Sequence, residues 1–418
     1  MSFDIALSGI QAINEQLGTI SNNIANAGTY GFKSSRANFA SLHAGAQPTG
    51  VHVGSITQSI ALNGGIQATN RSLDALINGR GFFVAKDSTG QTNYTRVGIF
   101  TKDATDYLVN SAGARIQGFQ LTPPSLIAGP VGDIKVPTNL LTAKATGNLA
   151  FVANLSADWT VPTGNITTKL PDATVTPPVV PDANMYNMSK VTVVHDSLGR
   201  EHTVTQYFVK DPAVRTVDIY TAVDGTDLGA AGGSPYTLVF DVNGQLDKAA
   251  NPAGAGLSYS HNLTFAVNPA AAMTVDIDYT GTTFQKGEST TSTNAADGYA
   301  AGSYVGVDLD PQGNVVAKYS NGEKQAIARL TIATFPDEDA LTPINETAWT
   351  ANVQSGNANL SEAGQGIAGA LTVASLETSN VDVTSELVSL MTSQRNYQAN
   401  SKVITAENQM LQSLMQAL

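Results

Sequence analysis

The sequence predicts a mainly β protein with long α-helical termini, in which nested β domains are inserted between N- and C-terminal coiled-coil helices. Three observations predict this. Apolar residues recur at helical spacing over both chain ends, they alternate with period two across the middle, and Pro- or Ser/Thr-rich segments punctuate the interior.

At the N-terminus Phe3, Leu7, Ile10, Ile13, Leu17, Ile20 and Ile24 follow steps of three and four, which draws one apolar stripe down a helix. Ser2 is positioned to cap it, and Asp4 sits in its positive first turn. The stretch that follows, "SNNIANAGTYGFKSSR" from Ser21 to Arg36, breaks the helix with Asn, Ala and Gly. Gly28 and Gly31 suit a sharp turn there, and the amides of Asn22 and Asn23 suit backbone groups freed at the helix end.

At the C-terminus Val383, Leu387, Leu390, Tyr397, Ile404, Leu411, Met415 and Leu418 form a second ladder, with Gln394, Ser401 and Asn408 on intervening rungs. Neither Gly nor Pro occurs from Ala370 onward. One helix over 383–418 spans roughly 54 Å at 1.5 Å per residue, far beyond an average globular helix.

The middle reads as β. "MTVDIDY" (Met273–Tyr279) alternates strictly and predicts a half-buried antiparallel strand. Asn243-Gly244 predicts a type I′ hairpin turn, because both residues tolerate positive φ. "VTVVHDSLGREHTVTQYFV" predicts another hairpin turning near Ser197–Gly199. "LPDATVTPPVVPD" (170–182) and "KGESTTSTNAADG" (286–298) read as connectors. The expected organisation is a helical filament-core domain with linker at 1–71 and 369–418, an inner β domain at 72–146 and 293–368, and an outer β insertion at 147–292.

Composition excludes several function classes. A net charge of −12 and only 13% charged residues argue against nucleic acid or an anionic membrane surface as partner. There is no cysteine, so disulfides and thiolate metal sites do not arise. Before Lys33 the only charged side chains are Asp4 and Glu15, which does not suit the basic n-region of a secretory leader, and no apolar run is long enough for a transmembrane helix.

No catalytic, cofactor or metal constellation is expected. "GQGIAG" (364–369) fits G-x-G-x-x-G but follows no strand of a βαβ unit, and reads as a flexible connector into the C-terminal helix. "DLDPQGN" (308–314) opens like a calcium loop but has Tyr319 at its twelfth position, so a Pro-Gln-Gly turn is expected. His195, Asp196, Glu201 and His202 flank a hairpin turn and read as polar surface rather than a metal site. No G-x-S-x-G elbow is present.

The helical ends carry the functional expectation. Their remaining faces are Ser, Asn, Gln, Ala and Gly rather than Lys and Glu, and Gly9 and Gly18 suit close approach by neighbouring helices. Spacing alone is equally consistent with a two-helix hairpin inside one monomer. Length favours assembly, because one partner helix covers one stripe and leaves the rest in need of neighbours. A repeating heterologous contact of that kind builds a filament.

The segment "SNNIANAGTYGFKSSR" also resembles a signature of the bacterial flagellar rod and hook proteins, the flagellar axial family. "INGRGFFVAKD", "YTRVGIFTKDATDYLVNSAGARIQGFQ" and "SNVDVTSELVSLMTSQRNYQANSKVI" are similar to further segments of that family. The resemblance covers both ends and the inner domain, and the size of the insert resembles the hook branch rather than the shorter rod proteins. It implies a subunit of a curved, hollow, self-assembling tube that serves as a flexible universal joint between motor and filament. It further implies type III export without a cleaved leader, an extracellular flagellar location, a rod protein below, a hook cap during assembly and a hook–filament junction protein above. Neither nucleic acid nor membrane insertion is implied. A distal rod or hook-associated junction protein of the same family is the nearest alternative, and a secreted adhesin working through its β insert is a further one. The implied helical-core contacts are Leu7, Ile10, Ile13, Leu17, Ile20, Ile24, Leu387, Leu390, Tyr397, Ile404, Leu411 and Leu418. The junction signature falls on Asn22, Asn23, Asn26, Gly31 and Phe32, with Gly28 and Tyr30 departing from the usual small polar residues.

Overall fold

The computed structural model describes residues 2–44, 47–122, 125–229, 235–247 and 259–417. The chain divides into two compact units. One comprises 1–138, 305–318 and 324–418; the other comprises 139–304 and 319–323.

The first unit contains both helices. Helix α1 spans Ser2–Ala25 and helix α2 spans Val383–Ala417, close to the limits that periodicity predicts. The cap expected of the Ser2 side chain lies outside the described side chains. α2 is capped by Asp382, whose Oδ1 accepts from the Thr384 N–H at 2.9 Å while Oδ2 accepts from Ser385 Oγ at 2.9 Å.

Behind α1 runs a long hairpin of β1 (Ser35–Ala44) and β2 (Gln47–Gln58), antiparallel with two register shifts. The β body of this unit is closed by distant segments. Strand 324–334 returns to pair antiparallel with 115–122 and 82–86, matching Ala328 to Gln120 and Ala333 to Phe82. Phe82, Tyr94, Phe335 and Trp349 fill the space beside it, with Tyr94 and Phe335 edge to face at 4.8 Å. Trp349 Nε1 donates to Gln58 Oε1 at 2.8 Å, which ties β2 to this aromatic cluster.

Among its described residues the second unit contains two five-stranded sheets. Their shared core includes Phe151, Val204, Phe208, Ile219, Leu263, Ile277 and Tyr279, with Phe151 stacked on Phe208 at 5.1 Å. The alternation of Met273–Tyr279 is present as predicted, since Met273, Val275, Ile277 and Tyr279 are all buried. The pairing is mixed rather than purely antiparallel. Strand 273–278 is antiparallel to 260–265 but parallel to 148–156. The Ser/Thr-rich segment expected to be a connector contains a strand, Thr290–Ala296, paired antiparallel with 148–156. It sits largely exposed, so it lacks the apolar alternation by which strands are recognised.

The hairpin over 191–209 forms as expected, in register His195 to Glu201. The turn at Asn243-Gly244 is not type I′. Only Gly244 has positive φ (+73°), and the turn runs from Asp241 to Gly244, whose N–H donates to Asp241 O at 3.1 Å. The cause is Asp241. Its Oδ1 accepts from the N–H of Asn243 and of Gln245, which holds the two central residues right-handed and leaves the left-handed position to the glycine. The same device recurs at Asp87–Gln91, Asn110–Ala114, Asp196–Arg200 and Asp310–Asn314.

Candidate assembly site: the terminal helices and their junction

α1 and α2 pack side by side, with a glycine of α1 at one point of close approach. α1 buries Ala6, Gly9, Ala12, Ile13 and Ile20. A Cβ at Gly9 would lie 3.0 Å from Asn400 Nδ2, so this glycine permits the close approach, whereas Gly18 faces open space. Among the predicted contacts, Ile13 and Ile20 are buried, while Ile10, Leu17, Ile24, Leu390 and Ile404 are half-buried. Leu7, Leu387, Tyr397 and Leu411 are exposed, and Leu418 lies outside the described residues.

The longer helix is barely covered. Among its described side chains only Ser393 is buried, and Leu387, Val388, Met391, Val403, Met410, Leu411 and Met415 remain exposed, Met415 at 72%. Such a helix gains little from its own fold. Covering the other half of each of these side chains is worth on the order of 1 kcal/mol apiece.

The hairpin lies along α1, where the Val51 N–H donates to Ser8 Oγ at 3.2 Å and a Cβ on Gly50 would strike Ser8. Where α1 ends, Asn26 closes back on Asn22, its Nδ2 donating to both Asn22 O and Asn22 Oδ1. Asn23 does something other than capping its own helix. Its amide pairs with the backbone of Ser35 in β1, accepting from N–H at 2.9 Å and donating to O at 2.8 Å, and it reaches Glu386 Oε1 on α2 at 2.9 Å. One buried amide therefore joins three elements.

The turn depends on Gly31 and not on Gly28. Gly31 has φ +67° and would place a Cβ 3.0 Å from Val97, while its N–H donates to Glu377 O at 2.8 Å. Gly28 lacks positive φ and faces open space, so a larger residue fits there. Phe32, half-buried, offers its carbonyl to the Asn380 N–H. Tyr30 is half-buried, with its hydroxyl 3.3 Å from Gln67 Oε1.

Beneath this turn lies a buried charge cluster that pattern reading did not single out. Lys33 is fully buried, its Nζ donating to Glu377 Oε1 at 2.7 Å and to Leu62 O at 2.6 Å. Arg96, also buried, donates from Nη1 to Glu377 Oε2 at 3.4 Å and to Ile77 O at 3.3 Å. The Gly64 N–H completes the carboxylate's partners. Burial lowers the pKa of Lys33, outweighing the attraction of Glu377, and burial likewise lowers that of Arg96. Asn380 closes the cluster, accepting from Ser34 N–H and donating to Ser59 O and Leu62 O. The one available signal was isolation: Lys33 is the only charge between Glu15 and Arg36.

Four family profiles match the chain in order: flagella basal body rod protein at 3–33, flagellar hook protein FlgE/F/G D1 domain at 76–149, flagellar basal body protein FlaE D2 domain at 164–299, and flagellar basal body rod FlgEFG protein C-terminal at 373–417. The flagellar hook protein FlgE of Escherichia coli K12 is 34% identical over 99% of both chains. The chain belongs to the flagellar hook protein family. It is a structural subunit of the flagellar hook. The FlgE of Salmonella typhimurium LT2 is 35% identical over 99% of both chains, and that of Brucella abortus 30% over 95% of this chain and 93% of its own. A crystal structure of Helicobacter pylori flagellar hook protein FlgE2 aligns at 12% identity and a TM-score of 0.49, covering 75% of this chain and 99% of that one.

The motifs of other chemistries have structural explanations. Gly364–Gly369 is a loop between strands 359–362 and 370–373, closed by Gly364 N–H to Gly369 O, and strands 370–373 and 375–377 separate it from α2. Asp310 is engaged by its own turn. His202 lies between Asp224, 2.6 Å from Nδ1, and Asp196, 3.4 Å from Nε2. No grouping of three His, Asp or Glu residues suited to a metal occurs among the described residues.

Proposed function

We propose that the hook subunit builds its tube through α1 and α2. Leu7, Ile10, Ile13, Leu17, Ile20, Ile24, Leu387, Leu390, Tyr397, Ile404, Leu411 and Leu418 then lie in a shared helical layer near the axis. The observation that carries this is the coverage of α2, a 35-residue helix on which only Ser393 is buried among the described side chains. Residues 1–71 and 369–418 form the axial layer in this reading, 72–146 with 293–368 the inner shell, and 147–292 the outer one. A tightly packed axial layer resists twist, while weak, wet contacts between polar outer surfaces exchange at low cost as the tube bends. The result is a flexible universal joint that transmits torque.

The neighbours in this reading are a rod protein below, a hook cap at the growing tip, a junction protein above, and a type III export apparatus that delivers the chain. Deleting 383–418 tests the assembly role. This cut spares strands 370–373 and 375–377, which pair with 75–78 and 66–68. The expected result is a folded monomer that forms no tubes at concentrations where the full chain does. Tubes formed by the truncated chain overturn the proposal.

A further inference from the structure

We propose that Met391, Met410 and Met415 make assembly sensitive to peroxide. Oxidation of their thioethers to sulfoxides in the free subunit keeps it out of the tube, and reduction readmits it. This rests on the self-assembly reading of α2 and adds a modification site to it.

The chain has seven methionines and no cysteine, so no thiol of its own competes for peroxide and the exposed thioethers are the sites of attack. Among the described methionines, exposure falls on α2. Met391, Met410 and Met415 are 52%, 67% and 72% exposed, whereas Met273 is buried in the core of the second unit and Met185 and Met188 are half-buried. The three also encircle the helix. At 3.6 residues per turn they stand about 100°, 140° and 120° apart around its axis, so they share no face. Two of them extend apolar surface, since exposed Leu387 lies one turn before Met391 and exposed Leu411 one turn before Met415.

That distribution gives oxidation its effect. The sulfur lone pair attacks one oxygen of hydrogen peroxide, the O–O bond breaks as the S–O bond forms, and water leaves; sulfur loses two electrons and peroxide gains them. The product carries a strong acceptor where an apolar group stood, and a neighbouring Leu or Val that covers it offers no donor. Any set of neighbours that covers more than about 140° of the helix circumference meets at least one of the three. In the monomer each sulfoxide stays in water, so the subunit keeps its fold. Methionine sulfoxide reductases reverse the change, with two electrons from thiols and release of the oxygen as water.

The test treats full-length monomer with hydrogen peroxide, maps the products by mass spectrometry, and polymerises the protein under conditions where the untreated chain forms tubes. Sulfoxide is expected at Met391, Met410 and Met415 ahead of Met273, with unchanged far-UV circular dichroism. The critical concentration rises at least about tenfold, and both reductases with dithiothreitol return it to within about threefold. A variant carrying Met391→Leu, Met410→Leu and Met415→Leu, close in volume, polymerises like the unaltered chain before and after peroxide. The proposal is overturned if the three resist peroxide as Met273 does, if chain oxidised at all three assembles normally or loses its fold, if reduction fails to restore assembly, or if peroxide blocks the leucine variant equally. Reversal by the reductases decides the matter even where the leucines themselves disturb assembly. Failure of the untreated chain to polymerise in any condition counts against the assembly reading instead.

Discussion

Replacing Glu377 by Leu is expected to damage the junction more than replacing Lys33 by Met. Glu377 is the shared counter-charge of two buried cations, Lys33 at 2.7 Å and Arg96 at 3.4 Å. Removing it strands both, together with the Gly64 N–H, and breaking a buried pair from one side costs about 3–5 kcal/mol. Removing Lys33 leaves the carboxylate with Arg96 and the Gly64 N–H, and leaves Leu62 O with Asn380 Nδ2, so the cost is about 1–3 kcal/mol. The assay is urea unfolding of the monomer in a Trp159→Phe background, read by far-UV circular dichroism and by fluorescence of Trp349, whose indole bonds to Gln58 in the same unit. If Glu377→Leu shifts stability by less than about 0.5 kcal/mol, or if Lys33→Met proves the costlier change, the shared-carboxylate reasoning is refuted.

Three further outcomes follow from the same geometry. Gly31→Ala costs about 2 kcal/mol, from left-handed strain plus contact with Val97, while Gly28→Ala is neutral or slightly stabilising; unfolding midpoints distinguish them. For His202, burial lowers the pKa but the bonds and charges of Asp224 and Asp196 outweigh it, so the folded value is raised. The protonated form therefore contributes stability that is full below the unfolded value near about 6.5 and is lost as pH rises through the raised folded value. His202→Gln should flatten that dependence in unfolding measured from about pH 5 to 8. Leu411→Asp, on the exposed face of α2, should leave monomer stability within about 0.5 kcal/mol of the parent and abolish tubes in electron micrographs.

Features encoded locally were legible. The limits of α2 followed from a three/four ladder with polar Gln394, Ser401 and Asn408 on intervening rungs and no Gly or Pro, and the hairpin at 191–209 from alternation on both sides of Asp196–Arg200. The turn at Asp241–Gln245 was misread because Asn-Gly was weighed without the aspartate two residues earlier, whose carboxylate selects the turn. Features encoded across distance were not legible. Strand 273–278 finds its parallel partner at 148–150, and Lys33 finds Glu377 at 344 residues' separation. Nothing in a local window marks Glu377 as buried, because its burial exists only once both ends of the chain meet. The junction signature was visible at Asn23 and Gly31, but their partners, Ser35, Glu386 and Glu377, come from the completed fold.

Hydrogen exchange of α2 in monomer and in assembled tube tests most directly whether its open faces are made to be covered by other copies. The expected result is fast exchange along 383–417 in the monomer and strong slowing over the same residues in the tube, with the aromatic cluster around Trp349 protected in both. Tubes in which α2 exchanges as fast as in the monomer would contradict the claim that these helices form the assembly core.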